Sequence, residues 1–310
     1  KRRVKRNGLQ EGGYKVYKNC TVNNKENIVS TQQKQRKVFY WKSWLLFVFC
    51  VIIAFICLFP VYVMIVNATR SAEQIRQVFS LLPSKYFFSN LSTLTEKFPI
   101  WLGMFNSFFI ALCSTILCVY FSALTAYGFV AYEFKAKKPL YAFLIATMLI
   151  PTQLSMIGWF RLVVDMGMYD TWWPLIIPSI ASASTVFFIK QYLDATFSKE
   201  LIEAARIDGS PEFLTFNVMM IPIMMPALAT MAIFSYIYSW NGYLGPLMIL
   251  TSEENQTLPI LVEKLKTDIH GVDYGAQYAG IFMTVLPLLV IYLCFSKLII
   301  RGVAVGGTKE

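Results

Sequence analysis

The segment Glu203-Ala204-Ala205-Arg206-Ile207-Asp208-Gly209, followed after nine residues by Met219-Met220-Ile221-Pro222, holds the side chains of this sequence whose types and spacing form a working surface. Ser198 is placed to cap a helix over 199–208, with Glu200 in a first turn whose unpaired N–H groups favour a carboxylate. Gly209 ends that helix, because glycine enters the left-handed conformation freely. Ser210-Pro211-Glu212 then offers an N-cap, a first-turn proline and an acid to the next one. The expected unit is a compact helix, turn, helix across 194–216. Glu203 is its charged anchor and Asp208 closes its first helix. Ala204 and Ala205 leave a shallow face that another protein's helices or loops can approach closely. The chemistry is docking.

Bond-making chemistry has little support elsewhere. There is no Gly-x-x-x-x-Gly-Lys-Ser/Thr loop to cradle a nucleotide. Glu253-Glu254 and the set Asp268, His270, Asp273 are sparse and read as solvated loop faces rather than a metal or hydrolytic centre. His270 is the only histidine and, beside Gly271, reads as a loop residue. Of six cysteines, Cys50, Cys57, Cys113, Cys118 and Cys294 fall in apolar runs and Cys20 in a polar tail, so neither a disulfide framework nor a metal spacing is implied. A membrane enzyme acting on lipid-linked sugars is the rival reading, and the lack of catalytic clusters at the membrane boundaries weighs against it.

A 56% hydrophobic content and a mean hydropathy of +0.52 place the chain that carries this loop in a bilayer. Charge-free runs at 43–69, 98–132, 139–160, 171–189, 213–252 and 274–296 can each hold the roughly 20 apolar residues of a spanning helix. The expected fold is all-α and polytopic, with six transmembrane helices. Six spans put both termini on one side. If that side is the cytoplasm, 21 of the 28 Lys and Arg lie inside; without the 12 up to Lys42 the balance is 9 against 7. The same layout puts the Glu203 loop in the cytoplasm. Residues 1–40 are polar and basic and read as a mobile tail drawn to anionic lipid, not as a nucleic-acid binder. The first apolar run is longer than a signal peptide's core and reads as a retained helix, in a chain whose start at Lys1 suggests trimming.

A carrier driven by an ion gradient needs ionisable groups inside its spans. Here Arg161 and Asp165, four apart at the outer end of the third span, and Asp194, at an inner end, read as an interfacial ion pair and snorkelling groups. Energy must come from a partner.

The spacing Glu-Ala-Ala, three residues, Gly, nine residues, apolar pair, Pro resembles the "EAA" loop of ATP-binding-cassette (ABC) importer permeases, with Met219 and Ile221 as conservative departures. Asn106-Ser107, Ala126-Tyr127-Gly128-Phe129, Ser235-Tyr236-Ile237-Tyr238-Ser239-Trp240-Asn241, Thr257-Leu258-Pro259 and Arg301-Gly302-Val303-Ala304 extend it over roughly 41–310, as in the second-subunit branch of the maltose-type sugar permeases. The resemblance implies a type I importer permease domain over 41–310, in a bacterial cytoplasmic membrane. It also implies a homologous second permease, two ATPase subunits that bind ATP and Mg, a solute-binding protein outside, and a carbohydrate substrate. This chain then carries no cofactor and is a transporter subunit, not an enzyme. Importers of amino acids or inorganic ions share the loop, and only the sugar-family features argue against them. Gly306-Gly307-Thr308-Lys309-Glu310 is a further expected ATPase contact.

Along the fifth span, Ser235 with Ser239 and Tyr238 with Asn241 make polar patches, and Trp240 and Tyr243 add aromatic faces. Hydroxyls and aromatic rings suit a sugar path, yet small polar residues also join membrane helices, and Trp and Tyr collect at interfaces. Gln153, two after Pro151, stands in the same position, since irregular backbone is tolerated where it faces protein or a watery cavity. Pro151, Pro174, Pro178, Pro222, Pro226 and Pro287 suit a bundle that changes shape.

Overall fold

The computed structural model describes residues 41–198, 200–267 and 273–307. The basic tail with Cys20, as well as Lys199, Asp268, His270 and Thr308-Lys309-Glu310, lies outside the described residues. Among those described, every regular element is helical.

The first helix, α1 (Trp41–Ala68), runs through Phe, Leu, Ile and Val with a mean hydropathy of 2.9, and none of that window is buried within the protein. Its large side chains, such as Phe47 and Phe55, face outward as lipid-contacting residues must. The described residues up to Val63 belong to one unit and those from Met64 onward to a second.

In the second unit, two short helices, α2 (Ala72–Gln77) and α3 (Phe87–Lys97), lead to α4 (Ile100–Ala131). At 32 residues α4 is about 48 Å long, more than the roughly 30 Å of hydrocarbon, so its ends reach past the apolar layer. One face of α4 is a stripe of small residues: Gly103, Ser107, Ala111, Ser114, Cys118, Ser122 and Ala126, all buried. In lipid, helices associate through close packing and not through exclusion of water, and small side chains permit it. Gly103 is the extreme case, since a Cβ there would lie 2.5 Å from Leu261 Cδ1.

The third apolar run differs from expectation. Instead of one span over 139–160, α5 (Lys137–Thr147) and α6 (Thr152–Asp165) meet at 96°. Pro151, with φ −60° and ψ 126°, takes the extended conformation at the break and has no N–H to continue α5. Among the described residues five helices are thus long and apolar enough to cross a membrane, and they make six only if this bent pair counts as one span. The fourth span joins α7 (Trp173–Ile176), a 3₁₀ turn and α8 (Ala183–Thr196), whose start is capped by Ser182 Oγ accepting from Thr185 N at 3.4 Å. Arg161 and Asp165, expected to pair, are both exposed and make no ion pair with each other or with another described residue. Lys190 and Asp194, at the same spacing, do pair at 2.6 Å, and the Tyr141 ring lies 4.6 Å from Lys190 Nζ, a cation–π contact.

After the charged loop, α9 (Glu200–Ile207) and the single turn α10 (Glu212–Leu214) lead through a π-helical stretch, Thr215–Met220, into α11 (Ile221–Trp240). This register change sits just before Pro222, which has no N–H to return to the ladder. Then come α12 (Leu244–Ile249), α13 (Leu258–Lys264) and α14 (Tyr274–Gly307). Two apolar clusters lie at opposite ends of α4. One packs Ala126, Tyr127 and Phe129 against Ile189 and Leu193 of α8, Ile202 of α9, and Phe216 and Met220. The other packs Ile100 and Ala111 against Tyr236 and Trp240 of α11, Leu258 and Leu261 of α13, and Ala276 of α14.

Candidate functional site

The loop helix α9 begins where Ser198 Oγ accepts from Glu200 N at 3.3 Å and Ser198 O accepts from Leu201 N at 3.3 Å. Its charges suit its dipole, with Glu200 and Glu203 in the first turn and Arg206 in the last. At its end Ser210 N donates to Ala205 O at 3.0 Å and Gly209 N to Arg206 O at 3.1 Å, while Gly209 has φ 75°. These two bonds and the left-handed residue form a Schellman motif. A Cβ on Gly209 would meet nothing within 4 Å, so backbone conformation alone requires glycine.

Two expectations need correction. Ala204 and Ala205 do not share one open face: neighbours on a helix are about 100° apart, and here Ala204 is exposed while Ala205, with Ile202, is buried against the protein's own bundle. The outward face is Glu203, Ala204, Ile207 and Asp208. Ile207, 86% exposed, is an apolar residue the sequence reading passed over, although its place four after Glu203 puts it on the same face. Ser210 is likewise not the N-cap of the following helix. That position is Pro211, without a side-chain cap; Ser210 Oγ instead accepts from Thr215 Oγ1 at 3.0 Å. Phe213 beside it is exposed.

The loop is braced from behind. Arg206 Nε lies 2.6 Å from Glu212 Oε1, and the Tyr127 hydroxyl at the end of α4 donates to Glu212 Oε2 at 2.9 Å. The Arg206 guanidinium also sits 5.2 Å over the Tyr132 ring. The hydrogen bond to Glu212 raises the Arg206 pKa further above its already high value, so its charge is permanent, and burial raises that of the Tyr132 hydroxyl. Tyr127 falls in the Ala126-Tyr127-Gly128-Phe129 run noted above, but no local signal joins it to an acid 85 residues on.

The fifth-span group divides. Trp240 is 1% exposed, donates Nε1–H to Thr284 O at 2.9 Å and stacks on Tyr236 with centroids 5.9 Å apart. Its large ring fills the α11–α14 contact. Tyr238 and Asn241 are exposed, Ser235 and Ser239 half-buried. Gln153 is exposed in the first turn of α6, and no hydrogen bond among the described residues joins it to the α11 group.

At the far end of α4 other polar contacts assemble. Asn106 Nδ2 donates to Glu254 O at 2.7 Å and Gln256 O at 2.9 Å, and Ser107 Oγ accepts from Leu258 N at 2.9 Å. The Asn106-Ser107 and Thr257-Leu258-Pro259 runs are therefore neighbours in space. Asp170, at φ 57°, accepts from Thr251 N at 2.9 Å, from Ser252 N at 3.1 Å and from the Ser252 hydroxyl, while Asn255 Nδ2 donates to its carbonyl at 2.8 Å. Desolvation pushes the Asp170 carboxyl up, but the bonds from Ser252, Thr251 and Asn255 outweigh it and hold the group below the usual carboxylate range. Among the described residues no group of His, Cys, Asp and Glu can hold a metal ion.

These features define a multi-pass helical membrane protein that presents a capped helix at one end of its bundle. Residues 118–304 match the family described as binding-protein-dependent transport system inner membrane component, and the chain belongs to that family. It is a transporter subunit of the cytoplasmic membrane, not an enzyme. It is 35% identical to the arabinooligosaccharides transport system permease protein AraQ of Halalkalibacterium halodurans, over 86% of this chain and 96% of that protein. It is 28% identical to the lactose transport system permease protein LacG of Rhizobium radiobacter, over 83% and 92%. The crystal structure of a bacterial ABC transporter involved in the import of the acidic polysaccharide alginate has the same fold, with a TM-score of 0.71 at 23% identity, covering 81% of this chain and 93% of that one.

Proposed function

We propose that this chain is the permease subunit through which an ATP-driven importer moves an oligosaccharide, and that α9 is the element its ATPase grips. The outward face of α9 carries this reading. Glu203 and Asp208 offer charge, Ala204 allows close approach, and Ile207 offers apolar surface that no described residue covers. Such a surface at a loop tip suits a protein cleft. Names of relatives that carry arabino-oligosaccharides and lactose support the sugar class.

In this reading both termini and α9 are cytoplasmic. A homologous second permease completes the pathway, two ATPase subunits hold ATP and Mg, and an external solute-binding protein delivers the sugar. Closure of the ATPases on ATP drags α9 and its attached helices, and the bundle turns from inward-facing to outward-facing. The break at Pro151 and the prolines of α11 and α14 are places where helices can yield. Gln153, Ser235, Tyr238, Ser239, Trp240 and Asn241 remain candidates for the sugar path.

The test is uptake of labelled arabinotriose into vesicles holding the assembled complex and its binding protein. Uptake should require ATP. Uptake driven by an ion gradient without nucleotide would overturn the energy source, and uptake of amino acids with arabinotriose ignored would overturn the substrate class.

A further inference from the structure

The Glu212 carboxylate uses both oxygens at once, one for Arg206 on α9 and one for Tyr127 on α4. Around it, Tyr127 and Tyr132 meet edge to face with centroids 6.1 Å apart, and the Tyr127 ring lies 5.4 Å from Phe216 in the π-helical stretch. Ile202, on the buried face of α9, packs in the same apolar cluster as Tyr127 and Phe129. The loop helix is therefore fastened to α4 by an apolar pin and by a two-sided carboxylate, in addition to its covalent ends.

A helix held only by its ends would swivel at Ser198 and Gly209. Two fastenings to a third element remove that freedom. The attraction itself is modest, since Arg206 and Glu212 have side chains 40% and 41% exposed and exposed ion pairs contribute little. What the carboxylate supplies is direction, because charged hydrogen bonds to both oxygens fix where Arg206 and Tyr127 stand relative to each other.

We propose that Glu212 is a positioning residue that makes α9 and the last turns of α4 one rigid lever. A displacement of the loop then passes directly to α4, which packs on both α8 and α11, and not only to the spans that adjoin the loop in sequence. The proposal rests on the reading of α9 as the ATPase contact.

The test places spin labels at Leu201 on α9 and Thr125 on α4 in the assembled complex, with the native cysteines replaced. The interlabel distance is compared between the nucleotide-free state and the state trapped with ATP and vanadate. The expected result is one unchanged distance in the otherwise native chain. In Glu212→Gln with Tyr127→Phe, the distance should shift on trapping and the ATPase should co-purify normally. Stimulation of ATP turnover by the binding protein charged with arabinotriose should fall about fivefold or more, the lower range of a coupling between sites. The two single variants should be non-additive, as partners sharing one carboxylate are. A shift in the native chain overturns the lever, as does a double variant with unchanged distance and stimulation. Loss of the ATPase from the double variant also overturns it, by making Glu212 part of the contact. Gly209→Val separates the two ideas: normal assembly and coupling in that variant would remove the docking reading, whatever the labels report.

Discussion

At the α9 end of the bundle the contacts that join α9 to α4 run between side chains, from Arg206 to Glu212 to Tyr127, whereas at the far end most of the contacts that hold the loops run from side chain to backbone. There Asn106 takes two loop carbonyls, Asp170 takes two loop amides, and Trp172 donates to Asn255 O at 3.0 Å. The consequences differ. Bonds to backbone impose the path of the chain, so the segment around 250–258 is held in one shape against α4 and the 170 turn. Bonds between side chains orient one helix and leave its far face for something else. An end that is clasped onto itself keeps its form, and an end that is braced from behind presents a surface.

Four measurements can break or sharpen that contrast. The largest effect belongs to Trp240→Ala, which removes a fully buried ring and its hydrogen bond to the Thr284 carbonyl. It should lower the stability of the purified protein by about 3 kcal/mol or more, seen as a lower Tm in detergent. A variant that melts like the native chain but handles sugar differently would put Trp240 on the path.

Asn106→Ala comes next. It leaves two inward loop carbonyls without their donor, at about 1–3 kcal/mol for each group left unsatisfied. Limited proteolysis should then cut within 250–258 while the ATPase still co-purifies. Faster loss of the ATPase than of loop protection would mean that the two ends are not separate.

Gly209→Val costs about 1–2 kcal/mol for a Cβ in the left-handed region, confined to the loop. Insertion and yield should be normal and co-purified ATPase reduced. Glu203→Ala should act in the same direction more mildly.

The smallest effect concerns pH. The Asp170 carboxyl has its folded pKa depressed, so the clasp it provides is present above the ordinary carboxylate pKa and is lost as pH falls through the lower folded value. The extra loop protection of the native chain over Asp170→Asn should be full at neutral pH and disappear in acid. A difference that persists unchanged into acid would show that charge on Asp170 is not what holds the loop.

Much of this was legible in one dimension because it depends on local rules. Apolar run length marked the spans, since a bilayer demands about 20 residues each. Ser198 and Gly209 marked α9 to within a residue at each end, since caps and left-handed turns are set by neighbours in sequence. The spacing from Glu203 to Pro222 marked the loop. What was not legible shares one origin. Composition says what Ala205 and Trp240 are able to do, not which neighbour covers them. Ser210 has the cap pattern in sequence, but its hydroxyl meets Thr215 only in the folded turn.

By itself the sequence determined the membrane environment, the apolar segments and the capped loop helix, all through properties that a short window of residues contains. Only the tertiary structure decided that the third segment bends by 96° at Pro151, that Ile207 faces out while Ala205 faces in, and that Glu212 joins Arg206 to Tyr127. Those outcomes depend on which helices pack together. A carboxylate 85 residues from its tyrosine meets it only after α4 and the loop have been brought side by side.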